Sequence, residues 1–326
     1  MTHLDYQDDQ VQDSVKARAK IKLERDLGPV IMGALADPKT VEIMLNADGK
    51  LWQERLGEKM QQIGTLSASR SESIIKTLAG FHGKEINKGR PLLECELPID
   101  GSRFAGQFPP IVPAPTFAIR KKAIAIFTLT QYVATGIMTP AQLVVIEAAV
   151  KNHRNILVTG STGSGKTTLV NAIINHMVVI DPTERIVIIE DTGEIQCAAD
   201  NFVQYHTTLD ISMTLLLRTS LRMRPDRLLV GEVRGPEALD LLMAWNTGHE
   251  GGAATLHANH ARAGLVRMAQ LISMHPDAPK HIEPLISEAV QLVIHIARTQ
   301  DGRRVEEIVE IQGYEDGHYL TQTVGV

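Results

Sequence analysis

The 326-residue chain is poor in cysteine, poor in aromatic residues and without a basic excess. Its two cysteines, Cys95 and Cys197, lie far apart and outside any C-x-x-C pattern. That excludes a disulfide framework and a thiolate zinc site, and it fits a reducing cytosol. Aromatic residues make up 4% and the net charge is -5, which argues against a broad basic surface or an aromatic-lined groove for single-stranded nucleic acid. Sequence-specific nucleic-acid binding is not expected. Long apolar runs are missing too. Crossing a bilayer takes about 18 apolar residues, and the nearest candidate, "AIAIFTLTQYVATGIM", is broken by threonine, glutamine and glycine. The opening "MTHLDYQDDQVQDS" is acidic and polar where a signal peptide needs a basic start and an apolar core. Any membrane contact is therefore expected to be peripheral.

What is present is enough apolar material, 44%, for a sizeable core, and a length that suggests two domains at about 150 residues each. Apolar positions recur at helical spacing from about Val15 to Ala36. "VEIMLNADGKLWQER" reads as a hairpin turning at Asp48-Gly49, and Ser71 is the expected cap of a helix in "SESIIKTLAGFHG". Extended, proline-rich segments follow. Residues 1–120 thus read as a small α+β domain and 121–139 as a linker. From 140 to 326, short apolar strands alternate with helices, the pattern of an α/β domain with a mostly parallel sheet.

The strongest signal is "NILVTGSTGSGKTTLVNAI". Gly160 to Thr167 match G-x-x-x-x-G-K-[ST] between an apolar strand and a helix, the context that a phosphate-binding P-loop requires. Backbone N–H groups across Gly160, Ser161, Thr162, Gly163, Ser164 and Gly165, and on through Lys166, Thr167 and Thr168, would enclose the phosphates of ATP or ADP at the positive end of the helix. Lys166 suits the β- and γ-phosphates and the Thr167 hydroxyl suits Mg²⁺, with Glu190 or Glu232 joining through water. Two strand ends then carry carboxylates: "RIVIIEDTGEIQ" with Glu190, Asp191 and Glu194, and "RLLVGEVRG" with Glu232. In a parallel sheet these ends share the edge that holds the P-loop, so a carboxylate there can orient or deprotonate the attacking water. A solvated acidic turn is the competing reading. "TLHANHA" adds His257 and His260, read either as a phosphate sensor at a further strand end or as two histidines on one helix face.

In this order, "GSTGSGKTT", "IIEDTGEIQ", "LRMRPDRLLVGEVRGPEA" and "TGHEGGAATLHANHA" resemble the Walker A, Asp, Walker B and His boxes of the secretion (traffic) ATPases of type II and type IV secretion. "VEIMLNADGKLWQE" and "RFAGQFPPIVPAPTFAIRKK" resemble the N-terminal domain of the conjugative branch, nearest to the TrbB-type conjugal transfer ATPases. The resemblance implies a RecA-like P-loop core behind a smaller α+β N-terminal domain, and a hexameric ATP-hydrolysing ring. It implies Glu232 as the catalytic carboxylate after a glycine, Glu190, Asp191 and Glu194 at metal and water, and His257 near the γ-phosphate. Arg103 and Arg120 match the arginines the N-terminal domain supplies, and Arg218 and Arg222 are further candidates. The partners implied are inner-membrane and other components of a secretion channel, with the ATPase on the cytoplasmic face of the inner membrane. Within the superfamily, the missing tetracysteine module disfavours the type II branch. A pilus-retraction motor, a nucleic-acid-stimulated helicase-like motor and a non-hydrolysing nucleotide switch remain as alternatives.

Overall fold

The structure, a computed structural model, describes residues 3–56, 58–121, 127–208, 210–300 and 302–325. The chain divides into two compact units, Met1–Ile124 and Ala125–Val326.

In the first unit, helix α1 (His3–Ala36) bends at Gly28, whose φ of 72° is left-handed, next to Pro29. Proline has no N–H to continue the helical ladder, so the bend is fixed locally. Beyond it come β1 (Thr40–Leu45), β2 (Lys50–Arg55), β3 (Gln61–Thr65), α2 (Ala68–Phe81), β4 (Leu92–Glu96), β5 (Arg103–Gln107) and β6 (Thr116–Arg120). The strands form one antiparallel sheet in the order β3-β2-β1-β6-β5-β4. The β1–β2 turn closes at Gly49 with φ 80°, as the Asp-Gly pair predicts. Leu23, Leu27 and Ile31 of α1 and Ile74, Ile75 and Leu78 of α2 share a core with Phe104, Phe117 and Ile119 of the sheet.

Ser71 is not the cap of α2. The helix starts earlier, and Ser67 accepts the N–H of Arg70. Ser71 lies inside the helix, fully buried, where its hydroxyl donates to the Pro115 carbonyl at 3.1 Å. Ser71→Ala leaves that carbonyl without its donor and is expected to cost about 1–3 kcal/mol. Urea unfolding of the full chain should show the loss.

The second unit begins with α3 (Leu129–Ala134), inside the segment expected to link the domains. Residues 122–126 of that segment lie outside the described residues. Leu129, Tyr132 and Met138 are buried in this unit's core. After α4 (Pro140–Lys151) the chain runs β7 (Ile156–Thr159), α5 (Lys166–Ile180), β8 (Ile186–Glu190), β9 (Phe202–His206), α6 (Met213–Ser220), β10 (Arg227–Val230), α7 (Glu237–Trp245), β11 (Ala253–Leu256), α8 (Ala261–Ile272), α9 (Glu283–Ala289), β12 (Leu292–Thr299), β13 (Gly302–Glu315) and β14 (His318–Thr323). The sheet order is β14-β13-β12-β7-β11-β10-β8-β9. The run from β12 to β9 is parallel, and β13 and β14 extend it antiparallel.

Every residue of β7, β8, β10 and β11 is buried, as parallel strands covered on both faces require. Ile156, Val158, Ile186 and Ile188 pack with α3, α4 and α5. Leu157, Val187 and Leu228 point the other way, toward α6 to α9. The P-loop, Glu190, Gly231-Glu232 and His257 each stand at the carboxyl end of one of these strands. Parallel pairing therefore brings them to a single edge of the sheet. Among the described residues, no helix is long and apolar enough to cross a membrane.

Candidate functional site

The P-loop spans the gap between Thr159 of β7 and Lys166, the first residue of α5. Gly163 and Gly165 hold φ of 71° and 99°, a region that costs most side chains strain. Gly160 is required by space: a Cβ there would lie 2.3 Å from the Ile296 carbonyl oxygen. Ser161 and Thr162 are exposed, and Thr168 is half-buried in the first turn of α5. Ser164 is fully buried, and its hydroxyl has no hydrogen-bond partner among the described residues. The Lys166 ammonium folds back onto the loop, donating to the carbonyls of Gly160 (3.1 Å) and Ser161 (3.0 Å). A groove of ≈ 660 Å³ opens against this loop, lined by Gly160, Ser161, Thr162 and His257 with Arg262 and Arg267 of α8. Ala258, Ala263 and Val266 make part of its wall apolar, Arg262 and Arg267 contribute positive charge, and among the described residues no carboxylate lines it.

The three acidic residues at the end of β8 and after it do different things. Glu194 accepts the Thr167 hydroxyl at 3.2 Å. Asp191 accepts the Thr207 hydroxyl at 2.9 Å and lies 3.1 Å from Arg234. Glu190 is held by the turn that follows β8. It is 2% exposed, and one oxygen accepts the N–H groups of Glu194 and Ile195, at 3.0 Å each. The other oxygen is taken by the Gln204 side-chain amide. Glu190 therefore shapes the turn that presents Glu194. It also explains the glycine at the end of β10, because a Cβ on Gly231 would stand 2.7 Å from the Cβ of Glu190. The place that an aspartate would take is already filled from the neighbouring strand.

Thr167 and Glu194 supply hard oxygen ligands, the kind Mg²⁺ prefers. Among the described residues, no group of three or more His, Cys, Asp or Glu is gathered to hold a metal. A cation that keeps several waters and binds chiefly through phosphates fits that sparse set.

Glu232 is the centre of a second cluster. Its Oε2 lies 2.8 Å from Arg234, and its Oε1 is 2.9 Å from His257 Nε2. The imidazole is close but not aligned to donate, so Oε1 is a buried oxygen without a hydrogen-bond partner among the described residues. His257 Nδ1 faces the Lys166 ammonium at 3.3 Å. Burial would raise the Glu232 carboxyl, but the Arg234 hydrogen bond and charge, with His257 and Lys166, bring it below its ordinary value. Burial and the Lys166 charge push His257 below its ordinary value against the opposing pull of Glu232. The carboxylate is thus ionised and the imidazole neutral at pH 7. His260 shares no helix face with His257: it caps α8, its ring accepting the N–H of Ala263 at 3.1 Å.

In the first unit, Arg103 and Arg120 are directly paired across β5 and β6. Glu96 pairs with Arg103 on one side and Glu42 with Arg120 on the other. The row reads Glu96, Arg103, Arg120, Glu42, so two like charges sit side by side between carboxylates. Arg218 is committed elsewhere, 2.8 Å from Asp240 of α7, and Arg222 lies exposed in the turn after α6.

Three contributors carry no individual role in the sequence reading. Arg234 stands two residues past Glu232, in "GEVRG", and the question of what neutralises that carboxylate points to it. Gln204 and Arg303 carry no such signal. Arg303, at the start of β13, donates to the Gly163 carbonyl at 3.3 Å and lies along Gly165, a contact made only by the folded sheet.

A family model described as "Type II/IV secretion system protein" matches residues 101–324. The conjugal transfer protein TrbB of Rhizobium radiobacter is 46% identical over 301 residues, 92% of this chain and 93% of the relative. The type IV secretion system protein PtlH of Bordetella pertussis is 34% identical over 311 residues, covering 85% and 90%. Among solved structures, the Legionella pneumophila ATPase DotB superposes with a TM-score of 0.60 at 20% identity, covering 84% of this chain and 77% of that one. The pilus retraction motor PilT with bound ADP gives 0.59 at 19% identity, covering 90% and 80%. The fold is the one expected: an α/β, RecA-like P-loop core with a mostly parallel sheet, preceded by a smaller α+β unit.

Proposed function

The chain belongs to the type II/IV secretion system protein family, and on that premise we propose that it is an ATP-hydrolysing motor for conjugative transfer or type IV secretion. The observation that carries the reading is the meeting, at one sheet edge, of a P-loop, a Thr167–Glu194 pair and the Glu232–His257 pair. The P-loop N–H groups and the end of α5 bind the phosphates, and Lys166 exchanges two loop carbonyls for phosphate oxygens. Thr167 and Glu194 would hold Mg²⁺, which when bound would supply charge neutralisation for the phosphates. Glu232 orients the attacking water and takes its proton at Oε1. Neutral His257, between Lys166 and Glu232, reports whether the γ-phosphate is present.

In the same reading Arg103 and Arg120 are the arginines offered to the γ-phosphate, their fixed forks suiting phosphate oxygens. The working particle is a homo-hexamer that couples phosphate release to domain movement. Its partners are channel components at the cytoplasmic face of the inner membrane. The names of the relatives, a conjugal transfer protein and a type IV secretion system protein, support the assignment to conjugation or type IV secretion.

The test is Mg²⁺-dependent phosphate release by the purified chain, with particle mass measured with and without nucleotide. A hexamer that releases phosphate supports the reading. A monomer that binds ATP without turnover would return it to the switch class. Thr167→Ala is expected to raise the Mg²⁺ concentration for half-maximal turnover by about tenfold, the loss of one hard ligand.

A further inference from the structure

The two oxygens of Glu232 are inequivalent, and the cause is Arg234. We propose that Arg234 is a positioning residue: it commits Glu232 Oε2 and thereby leaves Oε1 as the acceptor for the water proton. The inference rests on Glu232 being the water-activating carboxylate.

Arg234 lies in the turn between β10 and α7, and that turn is pinned. The backbone N–H groups of Arg234 and Gly235 both donate to Glu237 Oε1, at 2.7 Å each. Glu237 opens α7, where a carboxylate also suits the helix dipole. Gly235 leaves room for it, since a Cβ there would sit 2.8 Å from Glu237 Oε2. From this fixed base the guanidinium spans two strand ends. Nη2 reaches Glu232 Oε2 after β10 at 2.8 Å, and Nη1 reaches Asp191 Oδ2 after β8 at 3.1 Å. Asp191 is itself held by the Thr207 hydroxyl. A planar fork can bridge two carboxylates in fixed directions, whereas an ammonium on a flexible stem acts as a point charge.

The consequence is seen at the other oxygen. Oε1 is buried and has no aligned donor among the described residues, so its lone pairs are available while Oε2 is engaged. Without the fork the carboxylate is free to turn, and neither oxygen is held toward the water. Arg234 is itself 53% exposed, so its ion pairs add little to folding stability. That makes a positioning role separable from a structural one.

The experiment compares kcat, KM for ATP, affinity for a fluorescent ADP analogue and the pH profile of kcat in Arg234→Ala, Arg234→Lys and Asp191→Asn, with Glu232→Gln in parallel. Arg234→Ala is expected to lower kcat about 10- to 100-fold, the scale of a misplaced catalytic group. KM and ADP affinity should stay within about twofold. The acidic limb of the profile should move to higher pH, because Arg234 holds the Glu232 carboxyl down and its removal lets the group protonate sooner. Arg234→Lys should keep the limb near its original place yet lose part of kcat, and Asp191→Asn should lose less. Unchanged kcat in Arg234→Ala, or a loss matched by ADP affinity with the limb unmoved, overturns the proposal. If Glu232→Gln itself retains full turnover, the parent reading of Glu232 fails. If Glu232→Gln is inactive while Arg234→Ala is not, only this inference fails.

Discussion

Glu232→Gln is expected to lower steady-state phosphate release by roughly 10²–10⁴-fold while nucleotide affinity stays within a few-fold. The size follows from what the substitution removes. Glutamine keeps the shape and one acceptor oxygen, so Arg234 still has a partner, but it cannot take a proton from water. The hydrogen bonds from Lys166 to the Gly160 and Ser161 carbonyls and from Thr167 to Glu194 are made without Glu232, so ground-state binding is expected to be largely spared. Single-turnover hydrolysis, set beside ADP-analogue binding, separates the two effects. Equal losses in binding and turnover would mean that Glu232 organises the loop, and the assignment of the general base would move elsewhere. Near-normal turnover would show that Glu232 is not the group that takes the water proton, and the general base would be sought elsewhere on the sheet edge.

The P-loop is legible in the sequence because its geometry is local. Three glycines, a lysine and a hydroxyl within eight positions already state the loop, the anion site and the helix start. The edge of the sheet is equally readable, since parallel strands put all their carboxyl ends together. What cannot be read is which way each acid at a strand end turns. Glu190 and Glu194 are four residues apart in one acidic stretch, yet one builds the turn and the other meets Thr167. The difference is set by Gln204 on the adjacent β9 and by the space at Gly231, both tertiary facts. Ser71 departs from expectation for a similar reason: serine caps helices, but this one is satisfied by Pro115, distant in sequence. Arg234 has no motif of its own and is legible only through Glu232, because a partly buried carboxylate always poses the question of its counter-charge.

Gly231→Asp, which supplies the aspartate that a P-loop strand more often carries, is expected to abolish phosphate release and to destabilise the second unit. The new Cβ would meet the Glu190 Cβ at 2.7 Å, and Glu190 Oε2 stands 3.4 Å away. Real side chains do not share that space. Overpacking alone costs about 1–3 kcal/mol, and a second carboxylate in so buried a place adds to that cost. Relief requires Glu190 to move, and Glu190 holds the N–H groups of Glu194 and Ile195. The turn then shifts and Glu194 leaves Thr167, so a substitution meant to add a metal ligand removes one. Gly231→Ala isolates the steric part and should give a smaller fall in thermal midpoint. The decisive protein is the double variant Gly231→Asp with Glu190→Gly, which empties the space that the aspartate needs. If the two positions exclude each other as the geometry states, the double variant will be more stable than Gly231→Asp alone, the reverse of additive damage. Turnover will stay low in it, because no group then holds the Glu194 turn. A Gly231→Asp protein that melts like the wild type would show that β10 and β8 can part at this edge, and the steric account of the glycine would fail.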